Sequence, residues 1–434
     1  MDAQYHLTDI YAGNPYVEAL PPMLSGETLA SALAVYPEYH ETDRDKSAGS
    51  RLQLLSNLTT VYQPLPMTFE LYSQIYLAMQ KSYARYGSVE GVKDFIAGYK
   101  YLAHNEPFIS TGGGNSFSLI GVSGLGKSTA IQHILALFPR IIQHTEYHGR
   151  PFLNVQIPYL VVQTPHDCSV KSMCLDILLQ VDEIAGTHYY EHSQKSRIST
   201  DVLVAQIAQI SRCLHIGVLI LDEVQNLTYG KSALGIRFLN FLVQFVNASS
   251  LSICLVGTPQ VYGLLKREFR AARRATGFVL DRLDNGEEFK LLVSGLWRYQ
   301  YTKNVTPLTP QILQWLYRKS QGIPDIVVKL LYFSQHHAIM SGREILDLQA
   351  LEHALEANLY ILDDYVSHLE NKKTRPSHHK SYGDIEIPQQ TLRKTKGKSQ
   401  KKPLLRSLYK KAKQQNIPCE TLLDIYITDE VELC

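Results

Sequence analysis

Apolar and polar positions along the 434-residue chain fall into three regimes. In residues 1–66 they follow no period. Gly13-Asn14-Pro15 and Pro21-Pro22 punctuate a stretch rich in tyrosine and small polar residues, which predicts an extended arm with one short helix. Helical spacing begins at Thr68, which can cap a helix running to about Tyr86, with Leu71, Ile75 and Met79 on one face and Gly87 ending it. A second amphipathic helix is predicted over Val92–His104. From Phe117 the pattern changes to short β-rich runs alternating with helical segments, as a parallel sheet with crossover helices requires. The predicted strands are Phe117–Gly121, Ile157–Thr164, Gly217–Leu221, Leu251–Gly257 and Phe289–Val293, with helices beginning near Lys127, Ser169, Thr200 and Ser232. The unbroken apolar run from Val218 to Leu221 predicts a strand buried on both faces. After Pro310 the period becomes helical again, through Ile312, Trp315, Leu316 and Lys319, then Ile326–His337 and Leu348–Leu362. The expected organisation is an arm over 1–66, an α/β core with leading helices over 67–300, a helical lid over 301–366 and a partly disordered tail over 367–434.

Composition narrows the class. Apolar residues make up 45% and charged residues 19%, as in a globular chain. No apolar run reaches the roughly 18 to 20 residues of a membrane span, and no basic-then-apolar leader opens the sequence, so a cytoplasmic protein is expected. The six cysteines form no C-x-x-C pair, which points away from a zinc site or a disulfide framework, and reduced thiols fit the cytoplasm. The net charge of +2 hides an asymmetry. Lys372–Lys413 holds fourteen Lys or Arg against only Asp384 and Glu386, so an acidic body carries a basic tail. Such a tail is either a solvated linker or an arm for a polyanion.

The sharpest chemical signal is Gly121-Val122-Ser123-Gly124-Leu125-Gly126-Lys127-Ser128, placed between an apolar strand and a helix. Glycines at 121, 124 and 126 let the backbone turn its N–H groups inward around phosphates, and the following helix, with Thr129 in its first turn, presents its N-terminus to them. Lys127 can reach the outer phosphates and Ser128 supplies a hydroxyl for Mg²⁺. Asp222, at the end of a buried strand, would be costly there without a cationic partner, and hydrated Mg²⁺ is the natural one. Glu223 follows and can orient or deprotonate an attacking water. Bound ATP and Mg²⁺ are therefore expected.

Two further elements have more than one reading. Thr258, in Val256-Gly257-Thr258-Pro259, could sense a γ-phosphate if its strand lies between those of the two motifs, or could simply start a loop. The run from Lys266 to Arg274 is either a solvated basic face or the source of an arginine, Arg273 or Arg274, that reaches a neighbouring subunit's nucleotide.

Together these residues resemble the TnsC/TniB family of AAA+ transposition regulators, over roughly residues 10 to 365. The resemblance is carried by Gly13-Asn14-Pro15-Tyr16-Val17-Glu18-Ala19-Leu20-Pro21 and by Phe117-Ser118-Leu119-Ile120 running into the glycine-rich loop. Leu221-Asp222-Glu223-Val224-Gln225-Asn226-Leu227, Gly257-Thr258-Pro259 and Ser320-Gln321-Gly322-Ile323-Pro324-Asp325 complete it. It implies an AAA+ P-loop ATPase with a five-stranded parallel sheet flanked by helices, a small helical lid and a basic tail. Such proteins bind ATP and self-associate as rings or filaments on double-stranded DNA. They connect a target selector of TnsD/TniQ type to transposase subunits of TnsA/TnsB type, and ATP hydrolysis resets the assembly. The setting implied is the bacterial cytoplasm at the nucleoid, with no membrane partner.

Many AAA+ lids carry a nucleotide-touching arginine after this turn. Here Ile323, Pro324 and Asp325 follow Gly322, and the first basic residue is Lys329, either a substitute contact or a solvated lid residue. Lys171, Lys195 and Arg197 are the candidates for DNA phosphates, with surface solubility as the other reading. No known base-reading motif is present, so contact with DNA should be independent of sequence. The tail suits docking to transposase subunits or flanking DNA. A loader or remodeller of another DNA transaction, such as replication initiation, shares every core motif. A small-molecule kinase should lack the acidic pair followed by a helical lid, and an intact Glu223 argues against a nonhydrolysing scaffold.

Overall fold

Side chains alternate across a strand, so a strand buried on both faces must feed two separate cores. In the computed structural model, β1 (Ser116–Gly121) is followed by β2 (Ile142–Tyr147), β3 (Arg150–Gln163), β4 (Ile216–Asp222), β5 (Ser252–Gly257) and β6 (Ala275–Leu280). Leu219 and Leu221 of β4 point into one core, with Leu160 and Val162 of β3 and Ile253 and Leu255 of β5. Val218 and Ile220 point into the other, with Phe117 and Leu119 of β1 and Cys254 and Val256 of β5. The structure describes residues 1–104, 116–195, 198–228, 232–249, 251–262 and 275–359, all within the compact unit Met1–Ser377.

The strands form one sheet in the order β2-β3-β4-β5-β1-β6. All pairs are parallel except β2 with β3, which closes a hairpin. His148 and Gly149, both at positive φ (49° and 74°), make its two-residue turn, the backbone that matches the twist of a hairpin. The observed sheet thus has six strands where five parallel ones are expected from sequence.

Helices cover both faces. On one lie α5 (Pro66–Tyr86) and α7 (Lys127–Leu135), through Leu71, Ile75, Met79, Ile131 and Ile134. On the other lie α8 (Val170–Ala185), α10 (Thr200–Cys213) and α11 (Ser232–Ser249). Ser169 and Ser199 cap α8 and α10 with side-chain oxygens, as their place before the apolar runs suggests. The leading helix begins at Pro66, and Thr68, rather than capping it directly, accepts the Leu65 N–H at 3.3 Å. The next, α6, spans Val89–His104, and the short α9 spans Tyr189–Lys195.

Two expectations change. Phe289–Val293 is not a strand but part of α12 (Glu287–Trp297), in which Phe289, Leu292, Val293, Leu296 and Trp297 form one buried helical face. A five-residue apolar run fits either period; Glu287 and Glu288, in the first turn where the helix dipole favours acids, were the discriminating signal. The outer parallel strand is instead β6, whose Thr276-Gly277 interruption weakens its apolar pattern. The first 66 residues carry four short α-helices, α1 (Pro15–Glu18), α2 (Gly26–Leu33), α3 (Ala48–Leu54) and α4 (Asn57–Thr60), rather than one. The Asn14-Pro15 punctuation is a helix start: Asn14 Oδ1 accepts the N–H groups of Tyr16 and Val17, while its amide donates to Tyr83 O at 2.9 Å. Tyr16, Val17, Leu20, Leu29 and Leu33 are buried in the α5–α7 core.

The third core joins α12 to α13 (Pro310–Ser320), α14 (Pro324–Met340) and α15 (Leu348–Asn358), and takes in Leu55, Leu58 and Leu65 from the N-terminal segment and Leu125 from the glycine-rich loop. A bidentate ion pair at 2.6 Å between buried Arg51 and Glu344 fastens the same segments, and Arg51 also donates to Tyr301 O at 2.9 Å. The last helix among the described residues ends at Asn358, and the 360–434 portion, with the basic tail, lies outside them.

Candidate nucleotide-binding site

Because β5 separates β1 from β4, the sheet brings three polar strand ends side by side: the glycine-rich loop after β1, Asp222 closing β4 and Thr258 after β5. This meets the condition set by the sequence for Thr258. Gly124 and Gly126 both sit at φ +83°, a left-handed backbone that other residues adopt at a cost. A β-carbon built on Gly126 meets nothing within 4 Å, so the space over the N-terminus of α7 is open. A β-carbon on Gly124 would instead lie 2.9 Å from Ile323 Cγ2 and 3.2 Å from Asp325 Cβ. The lid turn thus rests directly on the loop, and Asp325 N–H donates to Gly124 O at 3.2 Å.

Lys127 folds over the loop and donates to Gly121 O at 2.8 Å and Val122 O at 2.9 Å. Burial pushes its ammonium below the usual lysine range, opposed by the charges of Asp222 and Glu223. Ser128 Oγ donates to Asp222 Oδ2 at 2.6 Å. Glu223 is exposed, at φ +58°, and its N–H donates to Asp222 Oδ1 at 2.8 Å. Ser123 and Thr129 are exposed, whereas the Leu125 side chain is buried in the lid core and offers only its backbone to a ligand.

These groups fit a Mg²⁺-bound nucleoside triphosphate. The Ser128 hydroxyl and Asp222 carboxylate are adjacent hard oxygen donors of the kind Mg²⁺ takes. Thr258 Oγ1 is buried and has no hydrogen-bond partner among the described residues, as suits an atom waiting for a ligand.

The remaining sequence candidates are scattered. Lys329 lies on α14 and pairs at 2.7 Å with Asp325, the residue whose N–H meets Gly124 O of the loop. Lys171 is exposed in the first turn of α8, and Lys195 ends α9. Arg197, Arg273 and Arg274 lie outside the described residues. Two contacts were missed by sequence reasoning. Gln225 Oε1 accepts the Thr258 N–H at 3.1 Å while its Nε2 donates to Glu223 Oε2. Thr164, after β3, donates its N–H to Asp222 O at 2.8 Å and accepts from Asn226 Nδ2 at 2.8 Å. The nearness of Gln225 to Glu223 in sequence was the available signal for the first; nothing local marks the second. Among the described residues, no group of His, Cys, Asp and Glu is arranged to hold a further metal ion, and no helix is long and apolar enough to cross a membrane.

No curated protein matches the sequence. Similar solved structures include the ORC1 protein of Aeropyrum pernix in complex with DNA, at 14% identity and TM-score 0.39, covering 61% of this chain and 64% of that one. The chain therefore spans less than two thirds of that archaeal protein. Drosophila ORC bound to DNA is similar at 13% identity and TM-score 0.42, covering 78% and 71% of the two chains. Domain III of the Thermotoga maritima replication initiation protein DnaA is similar at 13% identity and TM-score 0.33, covering 62% and 92%. The AAA domain family model matches residues 111–265, about a third of the chain, including the loop, the acidic pair and Thr258. Residues 111–265 are thus similar to the AAA domain family, and the strand order and the loop that precedes α7 are those of a P-loop ATPase fold.

Proposed function

We propose that this protein is an ATP-dependent regulator of transposition. It assembles on double-stranded DNA as a ring or filament, links a target-selection protein to the transposase, and resets by hydrolysing ATP. The observation that carries the ATPase half is the meeting of Lys127, Ser128, Asp222, Glu223 and Thr258 at adjacent strand ends. The transposition half is supported by the TnsC/TniB-like segments. Of these segments, Gly13–Pro21 packs against the α5–α7 core and Gly322–Asp325 rests on the glycine-rich loop.

In this reading the backbone N–H groups from Gly121 to Thr129 and the Lys127 ammonium hold the phosphates, and Ser128 and Asp222 hold Mg²⁺. Mg²⁺, when bound, neutralises phosphate charge. Glu223 accepts the proton of the attacking water as the bond from the γ-phosphorus to its bridging oxygen breaks and that electron pair leaves with ADP. Thr258 reports the terminal phosphate, and Arg273 or Arg274 of a neighbouring copy completes the site. Lys329 is a second-line nucleotide contact held in reserve by Asp325. Lys171, Lys195 and Arg197 meet DNA phosphates without reading sequence.

Binding to a labelled random-sequence duplex at physiological salt, with a nonhydrolysable ATP analogue and with ADP, tests the proposal. Tight binding with the ATP analogue alone is expected, because a ligand shifts assembly only through differential affinity for the two states. Equal binding with both nucleotides would overturn the DNA-switch reading. Retrieval of a helicase loader's partners rather than a transposase from the native host would redirect it to another DNA transaction.

A further inference from the structure

Gln225 joins two site residues that the sequence proposes separately. It lies in the 3-10 turn Val224–Thr228 and is buried, at 8% exposure. Its orientation is determined by its partners: a backbone N–H can be met only by the oxygen end of a carboxamide, so the bond from Thr258 N–H at 3.1 Å turns the NH₂ end toward Glu223. That NH₂ donates to Glu223 Oε2. The approach depends on glycine at 257, where a β-carbon would lie 3.0 Å from Gln225 Oε1. Glu223 is held from its other side as well, through its N–H on Asp222, and its backbone is left-handed at φ +58°. The hydroxyl of Thr258, whose own N–H holds Gln225, is buried and has no hydrogen-bond partner among the described residues.

We propose that Gln225 is a positioning residue that makes phosphate sensing at Thr258 and placement of the Glu223 carboxylate one event. Any shift of the Thr258 backbone, as its hydroxyl takes up a ligand, moves the carboxamide and with it Glu223 Oε2. The second carboxylate oxygen stays available for a water. The proposal rests on the reading of Glu223 as the base and Thr258 as the phosphate sensor, and it adds a mechanical link that neither role contains.

Two variants test it. Gln225→Met keeps the side-chain volume and removes both hydrogen bonds. Gln225→Glu keeps an acceptor for Thr258 N–H but sets a carboxylate against Glu223. Both are expected to lower kcat at least about tenfold, since roughly 1 Å of misplacement at a reacting group costs about a hundredfold. KM and the affinity for a nonhydrolysable ATP analogue should stay within about twofold of wild type, because no nucleotide contact is removed. A second readout needs no nucleotide. In thermal unfolding of the full chain, Gln225→Met and Glu223→Ala should be non-additive, the double variant losing less than the sum of the singles. Turnover within twofold of wild type in either variant, or additive thermal losses, would overturn the link. Glu223→Gln separates the levels: if it retains turnover, the reading of Glu223 is wrong; if it abolishes turnover while Gln225→Met spares it, only the link fails.

Discussion

Ser128 Oγ and Asp222 Oδ2 are 94 positions apart in sequence and 2.6 Å apart in the fold, joined by a hydrogen bond across the ends of α7 and β4. A hydroxyl and a carboxylate in that relation satisfy each other when no cation is present. On the proposed function both would turn to the same cation without rebuilding the backbone, because the sheet sets the loop and the strand end side by side.

Asp222→Asn should therefore separate metal from nucleotide. The amide keeps the shape, its oxygen accepting the Glu223 N–H and its NH₂ donating to Ser128 Oγ, but it carries no charge for Mg²⁺. ATP affinity measured with Mg²⁺ is expected to fall at least about tenfold, the cost of one lost charge-assisted contact of roughly 1.4 kcal/mol or more. Affinity in excess EDTA should change little. A variant whose affinity drops equally with and without Mg²⁺ would show that Asp222 shapes the pocket rather than holding the ion.

Gly322→Ala tests whether the lid turn sets the loop. Gly322 is at φ +73°, and a β-carbon there would lie 2.0 Å from Leu283 O, while Leu283 N–H donates to Gly322 O at 3.1 Å. Gly342 is the control, at φ +71° with nothing within 4 Å of a built β-carbon. Gly342→Ala should cost only left-handed strain, about 1 to 2 kcal/mol. Gly322→Ala should cost clearly more in thermal unfolding, and should also weaken nucleotide binding, because Ile323 and Asp325 on the far side of the turn rest on Gly124. Equal losses in the two variants, with nucleotide affinity intact in both, would uncouple the lid turn from the loop.

What the sequence revealed of this site was what one segment can encode by itself. The loop after β1 and the run ending in Leu221-Asp222-Glu223 each carry their full pattern within a dozen residues, and the lid helices α13 to α15 carry theirs in helical spacing. What stayed hidden depends on partners distant in sequence. The Phe289–Val293 run reads as a strand until its buried face is seen to span Phe289, Leu292, Val293, Leu296 and Trp297. The N-terminal segment reads as an arm because its helices are four to eight residues long, too short for periodicity to register, and are held by Asn14 on Tyr83 and Arg51 on Glu344. The Thr258–Gln225 contact depends on β5 lying beside β4, which no local pattern announces.

The pH dependence of stability should be dominated at mildly acid pH by a buried histidine far from the lid. His215 precedes β4 with φ +46°, stacks on Tyr16 at 4.2 Å between ring centroids, meets Tyr86 edge-on at 5.4 Å, and uses Nδ1 against Val155 O at 2.9 Å. Burial pushes its pKa down to about 4, opposed by the Val155 carbonyl and helped slightly by His144, whose own pKa burial also lowers. The native imidazole is thus neutral where the unfolded one, near 6.5, takes up a proton. Between about pH 6.5 and 4 the unfolded chain binds more protons, so stability is full above that window, falls as pH drops through it, and gains no further loss from this residue below it. The ceiling is on the order of 3 kcal/mol, the free energy of the whole shift. Thermal unfolding from pH 7.5 to 4.5 should therefore show a declining Tm in the wild type and a shallower decline in His215→Asn, since asparagine tolerates the left-handed backbone and does not titrate. His144 remains in both proteins, so the difference between the slopes reports His215 together with its coupling to His144. Parallel slopes would mean that His215 titrates in the native fold as it does in the unfolded chain, so that the stack on Tyr16 accepts the protonated ring at acid pH without penalty.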